Sequence, residues 1–218
     1  MSDRGAGEVA TQDVLTLADD DWKCGRTSDA LVSPCGRYRY WLTRQWGPGL
    51  RVCWVMLNPS TADASQDDPT IRRCIGFSKA WGYGSLIVVN LWAARATDPK
   101  ALLTLGDPVG PDNAEAIDLA VNGSALVVAA WGSFADRMKV KGHMRLWPEA
   151  SADAALVPTM CLDTTKDGHP RHPLYVKGDQ PLVPFSRSEA GRALSRDFVP
   201  PASVGIGPVP PLSEKRED

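Results

Sequence analysis

Two asparagines, two aspartates and two histidines carry the chemistry this sequence offers. They are Asn58, Asp63, Asp67, Asn90, His169 and His172, and all sit in or at the start of polar loops. An asparagine amide has two donors and an acceptor, so Asn58 can hold a water and Asn90 can pair with a base edge. A turn residue bonding its own backbone explains both positions equally well. Asp63, Asp67 and Asp68 can supply a general base or a metal ligand. Asp68, followed by Pro69-Thr70, reads as a helix cap. Adjacent carboxylates without a nearby histidine are not a metal motif, so no metal and no cofactor is expected. His169 and His172 each precede a proline, which forces an extended, pre-ordered loop. An imidazole held there can donate a hydrogen bond to developing negative charge. Arg73 and Arg95 have the fork geometry for phosphate, and Trp92 and Trp131 can stack on a flat ligand.

Four apolar runs would position these groups. Residues 52–57, 86–89, 125–131 and 157–162 read as buried strands. The first is stopped by Asn58-Pro59, and the second ends at Asn90. Apolar positions 71, 74, 75 and 77 give a helical stripe from Pro69, ended by Gly82 or Gly84. A second helix is expected over 114–121, opened by Pro111-Asp112-Asn113, and a basic amphipathic one over 135–147. Residues 37–44 alternate roughly as a strand, and Gly47-Pro48-Gly49 would turn them back onto 52–57 as a β-hairpin. Strands alternating with helices imply an α/β fold with a mostly parallel sheet, in which ligands bind beyond the carboxyl ends of strands. The expected division is an arm over 1–30, one α/β domain over 31–178 and a proline-rich, disordered tail over 179–218.

Composition narrows the class. The 218 residues are 43% hydrophobic with a formal net charge of −2, which excludes a strongly basic nucleic-acid glove. No apolar run approaches a membrane span, and the first residues are too polar for a secretory signal, so a cytoplasmic protein is expected. Five cysteines without C-x-x-C spacing give neither a disulfide framework nor a zinc ribbon. The common phosphate-loop, dinucleotide, zinc-protease and esterase signatures are missing.

The segments VMLNPSTADASQDDPTIRRC, VVNLWAARATDP, DPVGPDNAEAI, AAWG and TKDGHPRHPLYV, in that order, resemble the bacterial and phage family filed as domain of unknown function 1643, over about residues 38–176. The same layout is more distantly similar to the uracil-DNA glycosylase superfamily. In that superfamily one strand ends in an Asn-Pro loop that positions the attacking water. A later strand ends in an asparagine that reads the base, and a final His-Pro loop stabilises the leaving base. Here Asn58-Pro59 resembles the first, Asn90-Leu91 followed by Arg95-Ala96-Thr97 the second, and His172-Pro173 or His169-Pro170 the third. Met56-Leu57 replaces the superfamily's glycine, the serine after His-Pro is absent, and residues 63–68 have no counterpart.

The resemblance implies a three-layer α/β/α fold and a nucleobase N-glycosylase acting on DNA or a nucleotide, with modified bases among the candidate substrates. Asn58, with Asp63 or Asp67, would aim a water at the sugar. Asn90 would pair with the base, Trp92 or Trp131 would stack on it, and His172 or His169 would donate to it as it leaves. Arg73 and Arg95 would hold phosphates. Two other expectations stand beside this one: a non-catalytic nucleotide- or DNA-binding module, and a metal-dependent hydrolase built on residues 63–68.

Overall fold

The computed structural model describes residues 28–135 and 157–185. The basic helix expected over 135–147 and most of the expected arm and tail lie outside them, save Ala135 and a few flanking residues. Seven strands run in the order β1 (Ser28–Val32), β2 (Arg39–Gln45), β3 (Arg51–Met56), β4 (Ser85–Asn90), β5 (Leu126–Ala129), β6 (Thr159–Cys161) and β7 (Val183–Pro184). Helix α1 (Pro69–Ala80) joins β3 to β4, and α2 (Asn113–Asn122) lies between β4 and β5. Short 3-10 turns occupy Pro99–Thr104 and Pro173–Tyr175. The fold is mixed α/β, with one sheet ordered β1-β2-β4-β3-β5-β6-β7.

Strands β4, β3, β5 and β6 are mutually parallel, and the β1-β2, β2-β4 and β6-β7 pairings are antiparallel. Their continuous apolar character follows from burial on both faces. Val52, Trp54, Leu86, Val88, Leu126 and Val128 face Ile71, Cys74 and Phe77 of α1. The alternate residues Cys53, Val55, Ile87, Val89, Val127 and Ala129 face Ala116, Ile117, Ala120 and Val121 of α2. Asp68 caps α1 by accepting from Ile71 N at 2.9 Å, Pro69 opens the helix, and Gly82 at φ +82° follows its end.

The parallel register places one set of strand ends at one edge. Met56 lies opposite Asn90, Val55 opposite Ala129, and Ala129 opposite Cys161. The loops that follow therefore emerge together, 70 or more residues apart in sequence for β3 and β5.

Three expectations are corrected. The hairpin over 37–57 does not form: β4 lies between β2 and β3, so the N-terminal hairpin is instead β1 with β2. Apolar pattern alone cannot say which neighbour a buried strand takes. The sheet is parallel only in its four central strands. Residues 28–30 and Pro184, expected in arm and tail, are sheet residues; Pro184 pairs with Met160 on a two-residue edge strand, where a proline is tolerated.

Candidate functional site

A cavity of about 450 Å³ opens beyond the carboxyl ends of the parallel strands. That size lies within the roughly 300–1,000 Å³ of small-molecule sites. Asn58, Asn90, Trp131 and His172 all line it, together with Asp68 and Arg39.

Asn90 ends β4 and is 1% exposed, yet neither its Nδ2 nor its Oδ1 has a hydrogen-bond partner among the described residues. A stranded buried amide costs about 1–3 kcal/mol per group, so its retention at a cavity wall points to a ligand or a bound water as its partner. The backbone at Asn90 is held separately: buried Asn113 on α2 donates from Nδ2 to Asn90 O at 3.0 Å and to Leu91 O at 3.2 Å.

Asn58 is oriented by the loop after β4. Its Nδ2 donates to Ala96 O at 2.7 Å and to Pro59 O at 3.0 Å, and Ala96 N donates to Pro59 O at 2.9 Å. These bonds fix the amide so that Oδ1 remains as its acceptor for a ligand or water.

His172 comes from the loop after β6. Thr165 N donates to His169 O, Arg171 N to Asp163 O, and Gly132 N to Pro170 O, at 2.8, 2.8 and 2.9 Å. The His172 Nδ1 accepts from Leu174 N at 3.3 Å, capping the 3-10 turn. A ring nitrogen that accepts carries no proton, so the hydrogen of the neutral ring is on Nε2. Burial pushes the imidazole down to about 4, with the Asp68 carboxylate opposing. At neutral pH the cavity therefore holds an uncharged imidazole with one N–H to give.

Asp68 lines the cavity while serving as the α1 cap, so a residue with a local structural explanation also supplies the site's carboxylate. Asp63 and Asp67 do not line it. Asp63 Oδ1 accepts from Ser65 N, Gln66 N and Ser65 Oγ at 2.8, 2.8 and 2.9 Å, and these bonds hold its carboxyl below the usual range. Asp67 Oδ1 pairs with Arg44 Nε at 2.8 Å, and Arg44 Nη2 also reaches Asp63 O at 2.6 Å. Both aspartates thus fasten the loop between β3 and α1 to β2, which presents Asp68. Among the described residues no group of three or more His, Cys, Asp or Glu is placed to hold a metal ion.

The other candidates separate in the same way. Trp131 forms a wall and meets Phe185 edge-on, with 5.5 Å between centroids. Trp92 is wholly buried among core residues away from the cavity. His169 is buried and does not line the cavity, and its backbone N–H donates to Thr165 Oγ1 at 3.2 Å. Arg95 is exposed and lines no part of the cavity.

Arg73, on α1, clamps the histidine loop. Its Nη2 donates to Val176 O at 2.7 Å, its Nε to Pro173 O at 3.3 Å, and its guanidinium lies 4.8 Å from the Phe77 ring. Arg73→Ala should destabilise the fold by about 3 kcal/mol, because it strands two carbonyls and removes charge-assisted bonds. Urea denaturation checks this. A loss under about 1 kcal/mol would mean that the clamp does not hold the loop.

Sequence reasoning missed Arg39 and Arg171 and set Asp68 aside as a helix cap. Arg171 lines the cavity rim and pairs with Asp163 at 3.1 Å.

The chain belongs to the family described as protein of unknown function (DUF1643), whose model matches residues 39–174, more than half of its length. Arg39, Asn58, Asp68, Asn90, Trp131 and His172 all fall within the match. No curated protein and no solved structure matches. Among the described residues no helix is long and apolar enough to cross a membrane.

Proposed function

We propose that this protein is a nucleobase N-glycosylase-like hydrolase on a three-layer α/β/α framework of the uracil-DNA glycosylase kind, with DNA or a nucleotide as substrate. The observation that carries the reading is the Asn90 amide: a donor and an acceptor side by side, buried at a cavity wall without partners. A heterocycle with an N–H beside a C=O satisfies both at once. Trp131 offers the flat base an apolar face.

Hydrolysis breaks the bond between the sugar C1′ and the base nitrogen, and the bonding pair leaves with the base. His172 Nε2–H donates to the oxygen or nitrogen on which that charge settles. A neutral donor suits the task, since it stabilises the anion without first having to take up a proton. Water adds to C1′, oriented by Asn58 Oδ1, and its proton passes to the Asp68 carboxylate. The negative charge of Asp68 also favours the positive charge building on the sugar.

Base release from single-stranded and duplex DNA and from free nucleotides, across a panel of modified bases, tests this. Release of at least one base, lost in Asn58→Ala, is the expected result. No release from any substrate by folded protein, with Asn90-dependent binding retained, would contradict hydrolysis and leave a binding module.

A further inference from the structure

Arg39 has no part in the reaction just described, yet it lies at the same cavity. It reaches that position through an irregularity in β2. Leu31 pairs with Trp41 but Val32 pairs with Arg39, so Tyr40 is an extra residue without a partner on β1. Tyr40 and Trp41 consequently both enter the core on the α2 side, whereas Leu42 and Arg39 serve the α1 side. Strict alternation would have sent Arg39 to the opposite face. Bulges that re-aim a side chain recur beside binding sites.

The re-aimed guanidinium is 3% exposed. Nη1 donates to Ala62 O at 2.7 Å, while Nε is buried with no partner among the described residues. Among the described residues no carboxylate forms an ion pair with Arg39; Asp67 pairs with Arg44 and Asp163 with Arg171. Asp68 and Asp63 act on it through space, and Arg44 and Arg95 add positive charge in the same corner. Burial lowers its proton affinity to about 10, so it remains a cation at neutral pH. A buried, unpaired arginine with an unused N–H is costly unless an anion completes it.

We infer that Arg39 is an anion subsite of this cavity and that it takes the phosphate of a nucleotide whose base lies against Asn90. This rests on the nucleobase reading above and narrows it. Two sources share that chemistry, a free nucleoside monophosphate and a strand phosphate of DNA. The depth of Arg39 favours the terminal phosphate of a free nucleotide, which a chain on both sides does not encumber.

Calorimetric titration of the full-length protein separates the cases. The probes are the common 2′-deoxynucleosides, their 5′-monophosphates, inorganic phosphate and a short single-stranded oligonucleotide. The proteins are the wild type, Arg39→Met and Arg39→Lys. The expected result is that a monophosphate binds at least tenfold more tightly than its nucleoside, and that Arg39→Met abolishes the difference without weakening the nucleoside. Arg39→Lys, which keeps the charge but loses the fork, should fall between them and provides the readout if Arg39→Met does not fold. Arg39-dependent binding of the oligonucleotide alone would support the subsite with DNA as the source. Equal affinity for nucleoside and monophosphate, or a preference that survives in both variants, would overturn the subsite and leave the nucleobase reading standing. Arg39-dependent binding of inorganic phosphate without any base-bearing probe would uphold the subsite and sink the nucleobase reading. Binding of no probe at all would overturn the inference.

Discussion

Asn90→Leu should fold, gain about 1 kcal/mol of stability and lose turnover by roughly 10²–10³-fold. The gain arises because leucine occupies a similar volume and removes two buried polar atoms that have no partner among the described residues. The strand end does not depend on that side chain, since Asn113 anchors the backbone carbonyls of Asn90 and Leu91. The loss arises because two hydrogen bonds to the base would vanish in a site shielded from water, about 3–4 kcal/mol together. Thermal denaturation and single-turnover base release report the two effects independently. A clear loss of stability would show that the amide has a structural task. Unchanged turnover would remove Asn90 from base recognition. Asn90→Asp keeps acceptors and loses the donor, so it should discriminate among bases according to which edge atom they present.

His172→Gln carries the second large effect. Turnover should fall by roughly 10²–10³-fold, the usual consequence of removing a donor to developing negative charge. The pH dependence identifies the protonation state. With the imidazole depressed to about 4, turnover owes no acid limb to His172 between pH 5 and 8, and protonation below about 4 abolishes it. Protonation also turns Nδ1 from acceptor to donor, which breaks the bond from Leu174 N and releases the loop.

The stability consequence has a fixed sign. The folded histidine titrates near 4 and the unfolded one near 6.5, so the unfolded chain binds more protons between those values. The wild type should therefore lose up to about 3 kcal/mol relative to His172→Gln as pH falls through that window. Urea denaturation of both proteins at pH 7, 5.5 and 4.5 checks it. Parallel curves would mean that His172 is solvated and ordinary.

The order of β3, α1, β4, α2 and β5 was legible because local chemistry wrote it: continuous apolar runs, an Asp-Pro cap and glycine stops. That Asn58, Asn90 and His172 share an edge followed from parallel strands alone, since such strands release their loops at one end. What escaped depended on pairing and distance. Nothing local in residues 37–57 shows that β4 inserts between two strands that look like hairpin partners. One extra residue at Tyr40 inverts the face of Arg39, and a roughly alternating sequence does not reveal where a bulge falls. Asp68 had a local explanation as a cap, which turned attention to Asp63 and Asp67. Arg73 looked like a free arginine because its partners, Pro173 and Val176, lie about 100 residues away. Trp92 and Trp131 both follow strand ends, and only packing makes one core and the other cavity wall.

The proposed function requires a flat heterocycle to complete the Asn90 amide. Its most direct test is the ¹⁵N–¹H signal of the Asn90 side-chain NH₂, assigned by its disappearance in Asn90→Leu, during titration with nucleosides and nucleoside monophosphates. A saturable downfield shift with at least one of them is expected, as the unpaired donor gains an acceptor. A signal that stays fixed while the same ligand is shown to bind elsewhere in the protein would contradict it.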